Sequence, residues 1–267
     1  MKTRLLGQNG PEVSAISLGC MNFTGFYGPS DKQESFACLD AARDQGINFL
    51  DTAEVYGTGA SEELIGEYQK DRGYKFTIAT KGGMVIGGKR GENDNSEAAL
   101  RKALEGSLRR LKVNHVELYY IHRRDWSIEI EEVTQTLAKF KDEGKIGGFG
   151  FSEISPSSLR RAHAVHPVTA IQNEYSLWTR YPDLGMLQAC KELGVIFVPF
   201  SPLGRGMLAD TFPVPEEFLE NDMRKSQPRF LEPNFSANCR IISGFRKFAK
   251  SRGWNTSCAA LAWILDR

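Results

Sequence analysis

The sequence predicts an α/β fold, a (β/α)8 TIM barrel with an N-terminal β-hairpin, and three observations support that prediction. Helix-like and strand-like segments alternate between residues 31 and 200, a pattern that requires a parallel sheet with helical crossovers. The strand-like segments are short apolar runs such as VELYYI and VIFVPF, as expected for parallel strands buried on both faces. The chain has 267 residues, which suits one barrel of roughly 250 residues, so we predict a single domain over residues 1–267.

The first elements form the predicted hairpin, because the turn-forming run GQNGPE lies between two short strands, the second of which ends in SAISLG. Predicted helices then cover residues 31–45, 61–70, 96–111, 128–143, 155–165, 183–193, 237–252 and 256–267. Predicted barrel strands cover residues 15–18, 48–51, 76–81, 116–122, 146–151, 170–174 and 195–200. These are seven strands, so the eighth strand of a complete barrel is missing from the pattern.

Apolar periodicity supports the helix predictions. The clearest stripe is Leu100, Leu104, Leu108 and Leu111, which recur at steps of four, four and three residues. The alternation stops between residues 202 and 235, a stretch rich in proline. Because helical sequence resumes after it, we predict a functional loop there instead of a linker.

Composition and charge narrow the class of protein. Charged residues make up 25% and hydrophobic residues 41% with a net charge of +1, so neither disorder nor a nucleic-acid partner is expected. Five widely spaced cysteines without a CxxC pair favour reduced thiols over disulfides or a zinc site. Neither an export signal nor the about 20 apolar residues of a membrane span are present. We therefore expect a cytoplasmic enzyme with no membrane partner.

Four polar side chains follow successive predicted strands. Asp51 and Tyr56 lie in INFLDTAEVYG, Lys81 lies in KFTIATKGG, and His122 ends HVELYYIH. Barrel chemistry gathers at the C-terminal ends of the strands, so these side chains are expected to meet there. A phenol has a pKa of about 10, and it donates a proton readily only beside a charge that favours the phenolate.

These four residues suit the reversible reduction of a carbonyl group. Lys81 can supply the charge that Tyr56 needs, Asp51 can hold Lys81, and His122 can bond the substrate oxygen. The predicted partner is a small-molecule carbonyl substrate, and no metal is required. The hydride source is not identified by the residues alone, because no GxGxxG motif follows a strand: GTGASE and KGGMVIGGKRG have the wrong glycine pattern.

Five separated motifs resemble the aldo-keto reductase family, and the resemblance covers the whole chain. DTAEVYG is similar to the family signature DTAxxYG, and ATKGG, YYIHRRD, IQNEYS and PFSPLGRGML are similar to its later strand ends. The resemblance implies NADPH bound in extended form across the top of the barrel, with Tyr56 as the proton donor. It also implies that Ser152 and Gln172 bond the nicotinamide carboxamide, while Glu153 stands at a position that is asparagine in many members.

The resemblance extends to the cofactor loop and the substrate. Phe200 stands where many members stack a tyrosine on the nicotinamide ring. The segment that resembles the pyrophosphate loop comprises Ser201, Leu203, Gly204, Arg205 and Gly206. Trp126, in the loop after His122, is expected to line the substrate pocket. The motif forms are closest to bacterial, plant and fungal reductases of small aldehydes or pyridoxal. Family members continue beyond LAWILDR, which implies that strand 8 and the last helix are lacking here.

Two other functions fit parts of the sequence. Lys81 could be a Schiff-base nucleophile in a barrel aldolase, although Asp51 would keep its amine charged. A non-catalytic aldo-keto reductase-like binding subunit is the other alternative. The oligomeric state is left open by the sequence.

Overall fold

The computed structural model describes residues 1–89 and 91–267. The strands in this part of the chain are β1 (Thr3–Leu5), β2 (Glu12–Ser14), β3 (Leu18–Gly19), β4 (Phe49–Asp51), β5 (Thr77–Gly82), β6 (Val116–Ile121), β7 (Ile146–Ser152), β8 (Ala170–Glu174) and β9 (Ile196–Phe200). The α-helices are α1 (Lys32–Asp44), α2 (Ala60–Arg72), α3 (Glu97–Leu111), α4 (Ile130–Asp142), α5 (Pro156–Val165), α6 (Met186–Leu193), α7 (Asn234–Ser251) and α8 (Thr256–Asp266).

The sheet has the predicted topology. β1 and β2 form an antiparallel hairpin, and β3 to β9 form one seven-stranded sheet in chain order. The pairings from β3 through β8 are parallel, as expected when a helix connects each strand to the next. The α/β class and the parallel sheet are thereby confirmed. The absence of an eighth strand from the protein stays a prediction.

The predicted first barrel strand was wrong in its bounds, because residues 15–17 lie outside any strand and β3 is Leu18–Gly19. The hairpin also ends earlier than predicted, at Ser14. The reason is local hydrogen bonding. Ser14 N donates to Asn48 Oδ1 (2.7 Å) and Ser14 Oγ donates to Ile16 O (2.7 Å), which turns the chain out of the hairpin.

The sixth predicted helix was also too long at its start. Residues 181–184 form a separate 3₁₀ turn, and α6 begins only at Met186. Gly185 lies between the 3₁₀ turn and α6, and its φ of 121° is outside the helical region.

The chain divides into two compact units. The first comprises Met1–Thr24, Ser30–Asn173 and Gly185–Val198. The second comprises Gly25–Pro29, Glu174–Leu184 and Pro199–Arg267. The expectation of a single domain over the whole chain stays a prediction.

Both faces of the sheet in the first unit are buried. On the outer face the predicted leucine stripe of α3 packs into a large cluster, and all four of its leucines are buried. The alternate residues of the strands form a second cluster on the inner face, which includes Phe49, Ala79, Leu118, Tyr120 and Ala170. Side chains of a strand alternate between the two faces, and apolar clusters fill both. Polar side chains are therefore expected at the strand ends.

The second unit has a small core of its own, formed by Met207, Leu208, Phe230, Ile242 and Ala260. The proline-rich stretch contributes short 3₁₀ turns, as at Pro215–Glu217 and Pro228–Phe230. In the described part of the chain, no helix combines the length and apolar character needed to cross a membrane.

Candidate active site

The strand register brings three of the predicted residues to one face of the sheet. Asp51 pairs with Ala79, which lies two residues before Lys81, and Lys81 pairs with Tyr120, which lies two residues before His122. Strand side chains repeat every two residues, so this stagger keeps Asp51, Lys81 and His122 on the same face at the C-terminal ends of β4, β5 and β6.

Tyr56 reaches the same place through the loop after β4. The loop stays attached to β5, because Glu54 N donates to Lys81 O (3.0 Å). Tyr56 then opens a 3₁₀ turn in which Gly57 has a φ of 59°. A Cβ at Gly57 would lie 2.6 Å from a threonine side chain, so only glycine fits this turn.

The four predicted residues form a chain of contacts from Asp51 through Lys81 and Tyr56 to His122. Lys81 Nζ donates to Asp51 Oδ1 and, at 2.9 Å, to Thr52 O. The same ammonium lies 5.2 Å from the centre of the Tyr56 ring. The rings of Tyr56 and His122 meet edge to face, with 5.8 Å between their centres. The structure therefore brings together a carboxylate, an ammonium, a phenol and an imidazole.

The protonation states follow from burial and charge. Burial lowers the pKa of Lys81, but the Asp51 carboxylate and Tyr56 outweigh it, so the pKa is raised and the amine stays charged. Burial raises the pKa of Tyr56, while the charge of Lys81 opposes this change. Burial and the charges of Lys81 and Arg123 hold the pKa of His122 well below its usual value, so the imidazole is neutral. A charged lysine is a poor nucleophile, which disfavours the Schiff-base alternative.

Two of the predicted cofactor residues lie side by side. Ser152, the last residue of β7, is the register partner of Gln172 in the middle of β8, and their exposed fractions are 2% and 5%. Gln172 Nε2 donates to Asp51 Oδ2 (2.7 Å). Ser152 Oγ accepts from Arg123 Nη1 (2.9 Å). Both groups are therefore hydrogen-bonded to charged side chains.

Arg123 was missed in the sequence. Besides Ser152, its Nη1 atom donates to His122 O (2.5 Å). Its charge also acts on Tyr56 and His122. The available signal was its position, since it directly follows His122 at a strand end.

Two other predicted positions, Trp126 and Glu153, follow β6 and β7 in the chain. Trp126 is 74% exposed, and the Arg124 guanidinium lies 4.4 Å from its ring centre. Glu153 is exposed and has a left-handed φ of 58°, while its backbone N donates to Gln172 O (3.0 Å). The substrate-pocket role of Trp126 stays a prediction.

The predicted cofactor loop lies in the second unit. It begins at Phe200, the last residue of β9, and continues through Ser201, Leu203, Gly204, Arg205 and Gly206. Ser201 and Arg205 have left-handed φ angles of 50° and 55°. A Cβ at Gly204 would lie 2.8 Å from Trp178 Cε3, so the chain needs glycine there. The loop is thus tightly wound, with two non-glycine residues in the left-handed region.

Arg205 belongs to an ion cluster that the sequence did not reveal. Its Nη1 and Nη2 atoms donate to Glu174 Oε1 (3.1 Å) and Oε2 (3.0 Å), and Arg229 Nη1 donates to Glu174 Oε1 (2.7 Å). Burial raises the pKa of Glu174, but the two arginines outweigh burial and lower it. The only signal in the sequence was the position of Glu174 at the end of a predicted strand.

The described residues contain no group of three or more His, Cys, Asp and Glu side chains placed to hold a metal ion.

Comparison with known proteins gives the family. A family model described as "Aldo/keto reductase family" matches residues 15–267. A probable aldo-keto reductase of Glycine max is 41% identical over an alignment of 268 positions that covers 98% of this chain and 76% of that protein. An NADP(+) aldo-keto reductase of Schizosaccharomyces pombe is 38% identical over 270 residues, covering 98% of this chain and 79% of that protein.

Two solved structures match the fold of this chain. A glycerol dehydrogenase from Gluconobacter oxydans matches with a TM-score of 0.87 and 31% identity, covering 99% of this chain and 82% of that chain. An aldo-keto reductase from Bacillus halodurans matches with a TM-score of 0.71 and 32% identity, covering 82% of this chain and 73% of that chain. The chain belongs to the aldo/keto reductase family, which confirms the resemblance found in its motifs.

Proposed function

We propose that this protein is an NADPH-dependent oxidoreductase that reduces an aldehyde or ketone to an alcohol. The observation that carries the proposal is the contact of Lys81 with both Asp51 and Tyr56 in a buried site. Family membership supports carbonyl reduction, and NADP(+) in the name of the fission-yeast relative supports the cofactor. The glycerol dehydrogenase acts on an alcohol by its name, which is the reverse chemistry.

In the proposed reaction Tyr56 gives its phenolic proton to the substrate oxygen. Burial keeps the phenol protonated before the reaction, and Lys81 stabilises the phenolate left afterwards. Asp51 keeps Lys81 charged and in place. His122, being neutral, can donate a hydrogen bond to the same oxygen and orient the carbonyl.

The chemistry that NADPH supplies when bound is a hydride to the carbonyl carbon. Ser152 and Gln172 fit its carboxamide, because a hydroxyl and an amide stand on neighbouring strands. Phe200 would pack on the nicotinamide ring. The segment that would hold the pyrophosphate comprises Ser201, Leu203, Gly204, Arg205 and Gly206. The Arg205 guanidinium suits an anion, whereas the N–H groups of Gly204 and Gly206 already donate to Ser201 O and Leu203 O.

We infer a small aldehyde as the substrate class, with Trp126 beside it. The test is NADPH oxidation by the purified protein with a panel of small aldehydes, including pyridoxal. We expect turnover with at least one aldehyde and tighter binding of NADPH than of NADH. Binding of NADPH without oxidation by any aldehyde would favour the non-catalytic alternative, and borohydride trapping of substrate on Lys81 would favour the aldolase.

A further inference from the structure

The bond between Gln172 and Asp51 joins strands that are not neighbours. In the sheet, β4 and β8 are separated by β5, β6 and β7, yet Gln172 Nε2 lies 2.7 Å from Asp51 Oδ2. The other carboxylate oxygen of Asp51 accepts from Lys81. Asp51 is therefore shared between the ammonium of the proposed proton-transfer group and an amide of the proposed cofactor site.

The chemistry of the partners fixes the orientation of the Gln172 amide. A carboxylate can only accept hydrogen bonds, whereas an amide has a donating nitrogen and an accepting oxygen. Asp51 thus holds Nε2 toward itself and turns Oε1 away. An amide without such a partner can rotate and present either atom.

Ser152 has the complementary arrangement. The Arg123 guanidinium can only donate, so Ser152 Oγ must accept from it and keeps its own proton for another partner. The register pair Ser152 and Gln172 therefore presents one donor and one acceptor side by side. A primary carboxamide offers the matching acceptor and donor.

We propose that Asp51 has a second role, as the residue that orients Gln172 so that its Oε1 accepts from the N–H of the nicotinamide carboxamide. Asp51 thereby links cofactor recognition to the group that transfers the proton. This inference rests on the proposed NADPH-dependent function. Gln172 thus recognises the carboxamide N–H, and this recognition depends on its bond to Asp51.

The test compares NADP+ with its 3-acetylpyridine analogue, in which a methyl group replaces the carboxamide nitrogen. Calorimetry gives the dissociation constant of each. The unaltered protein should bind the analogue about tenfold more weakly, because Oε1 loses its donor. In Asp51→Asn the new amide nitrogen faces Gln172 and favours the rotated amide. The analogue should then bind about as well as NADP+. Asp51→Glu keeps an accept-only group and should keep most of the preference.

Gln172→Leu should also remove the preference, and Asp51→Asn should change nothing further in that background. The matched control is Gln69→Leu, which removes a glutamine whose Oε1 accepts from Phe76 N (2.9 Å) in the same unit. It should leave the preference intact. A tenfold preference that survives Asp51→Asn or Gln172→Leu overturns the proposal.

If Asp51→Asn does not fold, the side-chain N–H signals of Gln172 in the unaltered protein decide instead. They are assigned by their loss in Gln172→Leu. Slow exchange with deuterium supports the bond to Asp51, and exchange at the rate of exposed amides overturns it. Failure of the proposed function looks different, since NADP+ would bind with the expected preference while no aldehyde was reduced. If NADP+ does not bind at all, both proposals are wrong.

Discussion

Two partly buried carboxylates of this protein, Asp51 in the first unit and Glu174 in the second, are held by cations in different ways. Asp51 binds one ammonium and one neutral amide. Glu174 binds two guanidinium groups, those of Arg205 and Arg229.

The difference indicates what each arrangement can do. The Asp51 carboxylate is paired with one ammonium, and beside that pair lie the phenol and the imidazole to which we assign proton transfer. The charges of Glu174, Arg205 and Arg229 sum to one positive charge. The Arg229 side chain is 32% exposed. A net cation near the surface suits attraction of an anion such as a phosphate. The first arrangement is consistent with the proposed proton transfer, and the second with the proposed binding of a phosphate.

The largest expected effect distinguishes the chemical site from the binding site. Tyr56→Phe removes the proposed acid and should lower turnover by about 10² to 10⁴, the usual contribution of general acid catalysis. Binding of NADPH, measured by fluorescence titration, should hardly change. Near-normal turnover in this variant would show that Tyr56 is not the acid.

Removing one cation from each cluster should affect stability unequally. Lys81→Met leaves the partly buried Asp51 carboxylate without its cation, and we expect a loss of roughly 3 kcal/mol in the free energy of unfolding. Arg205→Met should cost only about 1.5 kcal/mol, because Arg229 still holds Glu174. Denaturant titrations of both variants measure the two losses. Equal losses would contradict the proposed difference between the clusters.

Arg205, whose removal should cost little stability, should matter more for cofactor affinity. Arg205→Met should weaken NADPH binding by about tenfold through loss of a charge-assisted contact, and binding should become less sensitive to salt. Arg229→Met is the matched control, since it removes a second partner of Glu174 and should have a smaller effect. Unchanged affinity in Arg205→Met would remove this arginine from the proposed pyrophosphate site.

The smallest expected effect is a change in pH dependence. The pKa of His122 is depressed in the folded protein, so its contribution to stability is present above the ordinary histidine pKa of about 6.5 and is lost as the pH falls below it. The free energy of unfolding should therefore decrease on acidification from neutral pH. His122→Asn should reduce this slope, which thermal unfolding at several pH values can measure. An identical slope in both proteins would mean that His122 is not held neutral.

The sequence was sufficient to predict the alternating elements and the four polar residues at successive strand ends. Each of those predictions uses local information: apolar runs, helical stripes such as that of α3, and the C-terminal end of a strand. Bounds were less predictable at Ser14 and Gly185, where a side-chain hydrogen bond and a backbone angle end an element.

The sequence could not predict which side chains, far apart in the chain, bind the same carboxylate. Gln172 lies 121 residues from Asp51, and their contact arises because the sheet brings two non-neighbouring strands together on its inner face. Arg205 and Arg229 lie 31 and 55 residues from Glu174. Such pairings depend on the tertiary fold and leave no periodic pattern in the chain.

The proposed reaction is hydride transfer to a carbonyl carbon with Tyr56 as proton donor. The most direct test is to incubate the protein with NADPH deuterated at the transferring position of C4 and a small aldehyde that it reduces, and to weigh the product by mass spectrometry. We predict an alcohol that carries one deuterium on the former carbonyl carbon, formed far more slowly by Tyr56→Phe. An alcohol without deuterium, or no alcohol with any aldehyde of the panel, would contradict the claim.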